Sequence, residues 1–154
     1  MDIFMRFPGG RRKALTFSYD DGTQQDIRLV EIMKKHGLKG TFNLNSGMYP
    51  PEGTVFPPDR VYRKMTKSLA TETFAGSGME VAVHGFVHPH LEQLSVSRCL
   101  HDVMTDRENL EQQFGTIARG MAYHYTIWFE GHYAAFEYKD SVIHCIKPGE
   151  QINI

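Results

Sequence analysis

Short apolar runs alternate with helix-compatible patterns along most of the chain. Apolar runs bounded by glycine, proline or aspartate predict strands over 13–18, 39–44, 80–83 and 116–121. Apolar residues at helical spacing, each pattern followed closely by a glycine, predict helices over 26–36, 66–74 and 95–114. Four prolines and a glycine between residues 49 and 59 predict an irregular loop there. This order predicts an α/β fold with parallel strands, arranged as a sheet or as a partial or distorted (β/α) barrel.

Composition fits one soluble globular domain. The chain has 154 residues, of which 41% are hydrophobic and 23% are charged, and its net charge is −1. This charge gives no electrostatic reason to expect nucleic acid or an anionic membrane as a partner. The sequence shows no secretory signal and no apolar run long enough for a membrane span. Two distant cysteines, Cys99 and Cys145, fit a reducing compartment, so a cytoplasmic location is expected.

Two polar motifs follow predicted strands and carry the candidate chemistry. Asp20 and Asp21 come just after the first strand, and His84 and His88 follow the third. One carboxylate and two neutral imidazoles form a three-ligand face for a divalent metal, with coordination positions left for water and substrate. The second carboxylate would then stand where a hydrolase needs a general base. The alternatives are an Asp-Asp-Gly turn and a solvated histidine pair, and Gly85 favours a shaped loop over the latter.

Three segments together resemble a known family. Residues 14–22 resemble the first motif of the polysaccharide deacetylases, the NodB-homology carbohydrate esterases. Residues 84–90 resemble their second motif, and residues 118–123 the start of their third, in the same order. The likeness runs from about residue 13 to residue 123 and implies the distorted barrel fold of that family.

The resemblance implies a role for each matching residue. Asp20 would be the general base, and Asp21, His84 and His88 would bind the metal, commonly zinc, with cobalt or manganese able to serve. Arg119 matches the arginine that orients the base. Near Asp20 it would favour the carboxylate form.

Two tyrosines are candidates for substrate contact. Tyr123 and Tyr125 are expected to line a sugar groove, because aromatic faces stack on pyranose rings, although core packing is an equal alternative.

The sequence departs from the family after the third motif, as if truncated there. Residues 1–123 form the predicted catalytic domain, and residues 124–154 form a divergent tail. His144 lies in an apolar setting like that of the family's general acid but arrives early, so it is a weak candidate for that role. The tail either results from a truncated or frameshifted gene or packs on the open edge of the sheet. A homo-oligomer that covers this edge is a further hypothesis.

These features predict a metal-dependent hydrolase that removes N-acetyl groups, or alternatively O-acetyl groups, from a sugar-containing substrate. The expected partner is an acetylated oligosaccharide or an envelope precursor. Two alternatives stay open: a non-catalytic metal- or carbohydrate-binding remnant of a deacetylase, and a metal-dependent hydrolase of a small non-sugar amide.

Overall fold

The computed structural model describes residues 7–123 and, beyond them, the backbone of residues 128–129, 132–133, 137–138 and 141–142. Close Cα packing divides the chain into two compact units, Met1–Tyr123 and His124–Ile154. Among the described residues, none of the helices has the length and apolar composition needed to cross a membrane.

The first unit contains a parallel sheet of three strands with helices between them. The strands are β1 (Ser18–Asp20), β2 (Thr41–Leu44) and β3 (Glu80–Val83), in the spatial order β1-β2-β3. The helices are α1 (Gln25–Lys35), α2 (Lys67–Phe74) and α3 (Val96–Phe114). Short 3-10 turns occupy Pro8–Gly10 and Leu91–Gln93. This layout confirms the predicted α/β class with parallel strands, since each strand returns through a crossover.

β2 lies at the centre of the sheet and carries the core. Phe42 and Leu44 are fully buried, and the Phe42 ring lies 4.8 Å from the ring of Phe74 on α2. Val30 and Met33 of α1 belong to the same apolar cluster. Because side chains alternate along a strand, Asn43 points to the opposite face, where it takes part in the site described below.

Two predicted strands differ from the structure. Residues 13–17 are not strand, and Leu15 is 80% exposed, because β1 lies at an edge of the described sheet, where of this run only Phe17 packs against the core. Residues 116–121 contain only a single parallel bridge, between Val83 and Met121. The other predicted strands and helices are confirmed to within a few residues, and 49–59 is irregular as expected.

The buried face of α3 is partly acidic. Asp102, Asp106 and Leu110 are buried, whereas Val96 and Leu100 of the apolar pattern are exposed. Burying a carboxylate is costly unless it is hydrogen-bonded, so these two aspartates need donors from the rest of the fold.

Within the second unit, the described residues form two short antiparallel pairs. β4 (Trp128–Phe129) pairs with β5 (His132–Tyr133), and β6 (Glu137–Tyr138) pairs with β7 (Ser141–Val142). The packing of the tail on the sheet edge stays a prediction.

Candidate metal centre

The strand ends bring the candidate ligands together. The backbone N–H of Asp21 donates to the carbonyl oxygen of Asn43 at 2.9 Å, and the N–H of His84 donates to that of Leu44 at 3.0 Å. These carbonyls belong to consecutive residues of β2, so Asp21 and His84 leave the sheet on either side of its central strand. The site therefore lies at the carboxyl ends of the strands, where ligands bind in open α/β sheets.

Three side chains form one cluster there. One ligand atom each from Asp21, His84 and His88 lies within 4.8 Å of the others. His88 Nε2 lies 3.9 Å from Asp21 Oδ1, and the two imidazole rings are 4.8 Å apart at 72°. Asp21 and His88 adopt positive φ angles of 77° and 53°, a conformation that costs a non-glycine residue free energy.

The His84 ring is held in the tautomer that a metal needs. Its Nδ1 lies 2.9 Å from the carbonyl oxygen of Ala122. A carbonyl oxygen only accepts, so Nδ1 carries the proton and, in the neutral ring, Nε2 carries the lone pair. Metal-binding histidines in proteins almost always make such a bond through the other ring nitrogen. Together with one carboxylate and a second imidazole, this donor set fits a divalent transition metal.

Buried groups fix the backbone from His84 to Val87. Asp106 accepts hydrogen bonds from the N–H of His84 at 3.0 Å and of Ser46 at 2.7 Å. Asp102 accepts from the N–H of Phe86 at 2.9 Å and of Val87 at 3.2 Å. Burial raises the pKa of Asp106, and these donors offset part of that increase. The acidic face of α3 is therefore used to position the histidine segment.

Asn45 holds the same segment from the end of β2. The side chain is 2% exposed, and its Nδ2 donates to the carbonyl oxygens of His84 and Gly85, the latter at 2.9 Å. Its Oδ1 accepts from Lys64 Nζ at 2.8 Å. Asn45 thus links the histidine segment to the loop that precedes α2.

That loop supplies the surroundings of Asp21. Lys64 Nζ lies 3.3 Å from Asp21 Oδ1. Burial pushes the pKa of Asp21 upward, but the Lys64 charge and the hydrogen bonds from Tyr62 and Lys64 outweigh it, so the pKa lies below its usual value. Asp21 is consequently a carboxylate at neutral pH.

His88 is neutral under the same conditions. Burial, followed by the neighbouring His84, holds the pKa of His88 below its ordinary value. A neutral imidazole is the form that binds a metal.

Asp20 is the other carboxylate at this edge. It ends β1, is exposed, and accepts a hydrogen bond from Asn43 Nδ2 at 2.7 Å through Oδ1. Asn43 is 2% exposed and also donates to Ser18 Oγ at 2.9 Å, so its amide is fixed. Asp20 is therefore an oriented carboxylate one residue from the cluster, as a general base would require.

The structure does not bring Arg119 to Asp20. Arg119 is exposed and lines a cleft with Gly78–Val81, on the side of β3 away from β2. Because β2 and β3 stand between them, the two side chains form no ion pair or hydrogen bond in the described part of the chain. An orienting role for Arg119 stays a prediction of the resemblance.

The remaining candidates lie elsewhere or outside the described residues. Tyr123 is 43% exposed, and Tyr125 and His144 lie outside the residues that the structure describes. His90 is exposed, with its Nδ1 3.0 Å from Glu92 Oε1, so it does not belong to the cluster.

Sequence reasoning missed the residues that support the ligands. Lys64 and Tyr62 lie in an irregular loop about forty residues from Asp21, and no local pattern marks them. Asp102 and Asp106 did carry a signal. They recur four residues apart on α3 in line with Leu110, so their positions place carboxylates on a face that packs inward.

Comparison with known proteins identifies relatives of the chain. The sequence profile of the family described as Polysaccharide deacetylase matches residues 8–135. A search of curated proteins finds no significant match.

Solved structures share the fold at low identity. The deacetylase PplD of Streptococcus pyogenes, solved with acetate, is 21% identical with a TM-score of 0.62, over 77% of this chain and 49% of that one. IcaB from Ammonifex degensii is 16% identical with a TM-score of 0.57, over 82% and 55%. The peptidoglycan deacetylase PdaC from Bacillus subtilis is 21% identical with a TM-score of 0.53, over 72% and 48%. The chain spans about half the length of these structures.

Proposed function

Because the chain belongs to the polysaccharide deacetylase family, we propose that it is a metal-dependent hydrolase that removes N-acetyl groups from a sugar-containing substrate. The observation that carries this proposal is the convergence of Asp21, His84 and His88, with the oriented carboxylate of Asp20 beside them. The expected substrate is a soluble acetylated oligosaccharide or an envelope precursor, and O-acetyl groups are the second choice. A cytoplasmic location stays a prediction.

Each residue of the site has a defined task. Asp21, His84 and His88 would hold a divalent ion, with zinc first and cobalt or manganese as alternatives. When bound, such an ion supplies Lewis acidity that polarises the acyl carbonyl and acidifies water. The low pKa of Asp21 and the neutral state of His88 keep these two groups ready for this task at pH 7.

Asp20 would accept the proton of the attacking water. Asn43 occupies its Oδ1, which leaves Oδ2 to take the proton as the new C–O bond forms. The C–N bond then breaks and the leaving nitrogen takes up a proton. His144 is a candidate donor of that proton, and it lies outside the residues that the structure describes.

The test measures metal content and acetate release in the same samples. We expect about one zinc per chain in the wild type and in D20N, and none in H84A. Acetate release from N-acetylglucosamine oligomers should fall by about 10²–10⁴-fold in D20N, because only the base is lost. H36A is the matched control, since His36 is exposed at the end of α1, and it should keep both properties.

Other outcomes would select between the alternatives. One zinc without acetate release from any acetylated sugar would favour the binding remnant. Release from simple amides but not from sugars would favour the small-amide hydrolase. Absence of zinc from the wild type and all variants would refute the metal centre.

A further inference from the structure

Lys64 places a positive charge inside the proposed ligand set. Its Nζ lies 3.3 Å from Asp21 Oδ1, 3.3 Å from the Asp21 carbonyl oxygen and 2.8 Å from Asn45 Oδ1. An ammonium group has three donors, so these three oxygens satisfy it completely. The side chain is 11% exposed, so the charge is largely shielded from solvent.

The contacts of Lys64 couple the two sides of the cluster. Two of them are to Asp21, which has a positive φ of 77°, and these brace both its backbone and its carboxylate. The third fixes the amide of Asn45, whose Nδ2 holds the carbonyl oxygens of His84 and Gly85. One ammonium therefore links Asp21 to the segment that begins at His84, and it does so without an ion.

The same charge opposes a divalent ion. An ion held by Asp21 shares that carboxylate with Lys64, and two cations on one carboxylate repel each other strongly in a partly buried site. The ammonium must give up its contact with Asp21 or tolerate this repulsion. Either effect lowers the affinity for the ion.

On the basis of the metal centre in the proposed function, we propose that Lys64 is a built-in counter-cation that holds the ion-free site together and weakens its binding of a divalent metal. A purely positioning lysine would have the opposite effect on affinity, because its removal would disorder the ligands and weaken metal binding. The sign of the change in affinity therefore decides between the two roles.

The experiment compares zinc affinity and thermal stability in K64M, K64Q and the wild type. Zinc dissociation constants are measured by competition with a chromophoric chelator at fixed pH and salt. K64M and K64Q, which remove the charge with and without a polar end group, should each bind zinc about ten-fold or more tightly. Their metal-free forms should melt below the wild type, and saturating zinc should remove the deficit.

Lys67 provides the matched control. It is exposed at the start of α2, so K67M makes the same chemical change nearby without touching Asp21 and should leave zinc affinity within about two-fold. Weaker or unchanged zinc binding in folded K64M and K64Q would overturn the counter-cation role while the metal centre stands. Zinc binding by K64M and K64Q, but not by the wild type or K67M, would give the strongest support for the counter-cation role. Absence of binding in all four proteins would refute the metal centre of the proposed function, and the role of Lys64 with it.

Discussion

The two sides of the candidate site are held by different means. On the histidine side, buried carboxylates and an amide grip the backbone, with Asp106 fully buried and Asn45 2% exposed. On the aspartate side, the stabilising interactions are with the Asp21 carboxylate itself, and they come from Lys64 and the half-exposed Tyr62. Backbone bonds persist whether or not an ion is present, whereas the contacts to the Asp21 carboxylate compete with one. We call the histidine side, which is held by Asp102, Asp106 and Asn45, the frame. We call the aspartate side, which is held through the Asp21 carboxylate, the closure.

Removal of Asp106, the central hydrogen-bond acceptor of the frame, should cause the largest loss of stability. D106A removes the acceptor of the Ser46 N–H and one of the two acceptors of the His84 N–H, which keeps its bond to the Leu44 carbonyl oxygen, and we expect a loss of about 3 kcal/mol in the free energy of unfolding. Zinc affinity should also fall by about ten-fold or more, because supporting contacts orient ligands. Urea unfolding and zinc competition measure the two effects. E108A, an exposed change on the same helix, should lie within about 0.5 kcal/mol of the wild type, and equal stability of both variants would contradict the framing role.

A smaller disturbance comes from crowding the same side. A Cβ at Gly47 would lie 2.6 Å from the carbonyl oxygen of Phe86, next to the histidine segment. Because a backbone atom must move, G47A should cost about 1–3 kcal/mol and weaken zinc binding. G40A offers the comparison, since its nearest neighbour is the flexible Met33 side chain at 3.1 Å, and it should cost less. A larger loss of stability in G40A than in G47A would contradict the view that the Phe86 backbone limits the space at Gly47.

The closure gives the smallest effect, and it depends on pH. The pKa of Asp21 is lowered in the folded state, so its stabilising contribution is present above the ordinary carboxyl pKa of about 3.9 and is lost as pH falls through the folded value. In metal-free protein, D21N should therefore cost about 1 kcal/mol near pH 7 and progressively less below pH ~4. Chemical unfolding across this pH range provides the measurement.

Asp26 gives a control of opposite sign. Burial raises the pKa of Asp26, so its contribution is most favourable below the ordinary carboxyl pKa and is lost as pH rises through the folded value. D26N keeps an oxygen to accept the 2.8 Å bond from the Thr23 N–H, and it should gain relative to the wild type as pH rises. Parallel pH profiles for D21N and D26N would contradict the assignment of the two shifts.

Local signals in the sequence predict the ends of the helices and strands well. Thr66 caps α2 by accepting from the Leu69 N–H, and Gly115 ends α3 with a φ of 66°, both as the residue types require. Asp21 and His84 are expected at the carboxyl ends of strands because both follow apolar runs. Their meeting in one cluster follows from the parallel register of the three strands.

Features that depend on distant packing were not predictable in this way. Residues 13–17 have the apolar pattern of a buried strand, but among the described strands β1 has only β2 as a neighbour, and Leu15 is left exposed at this sheet edge. Lys64 comes to Asp21 through a loop whose course is set by its own contacts, such as the bond from the Met65 N–H to the Gly22 carbonyl oxygen at 2.9 Å. No periodic pattern in the sequence predicts that Lys64 lies next to Asp21.

The bond between His84 and Ala122 has a consequence for the order of assembly during synthesis. The carbonyl that selects the His84 tautomer lies 38 residues later in the chain, beyond the whole of α3. A nascent polypeptide that has released residues up to His88 from the ribosome holds both histidines, but the Ala122 carbonyl that fixes the His84 ring has not yet emerged. If the proposed metal centre is correct, its His84 ligand reaches its final orientation only after the segment around Ala122 has emerged and docked on β3.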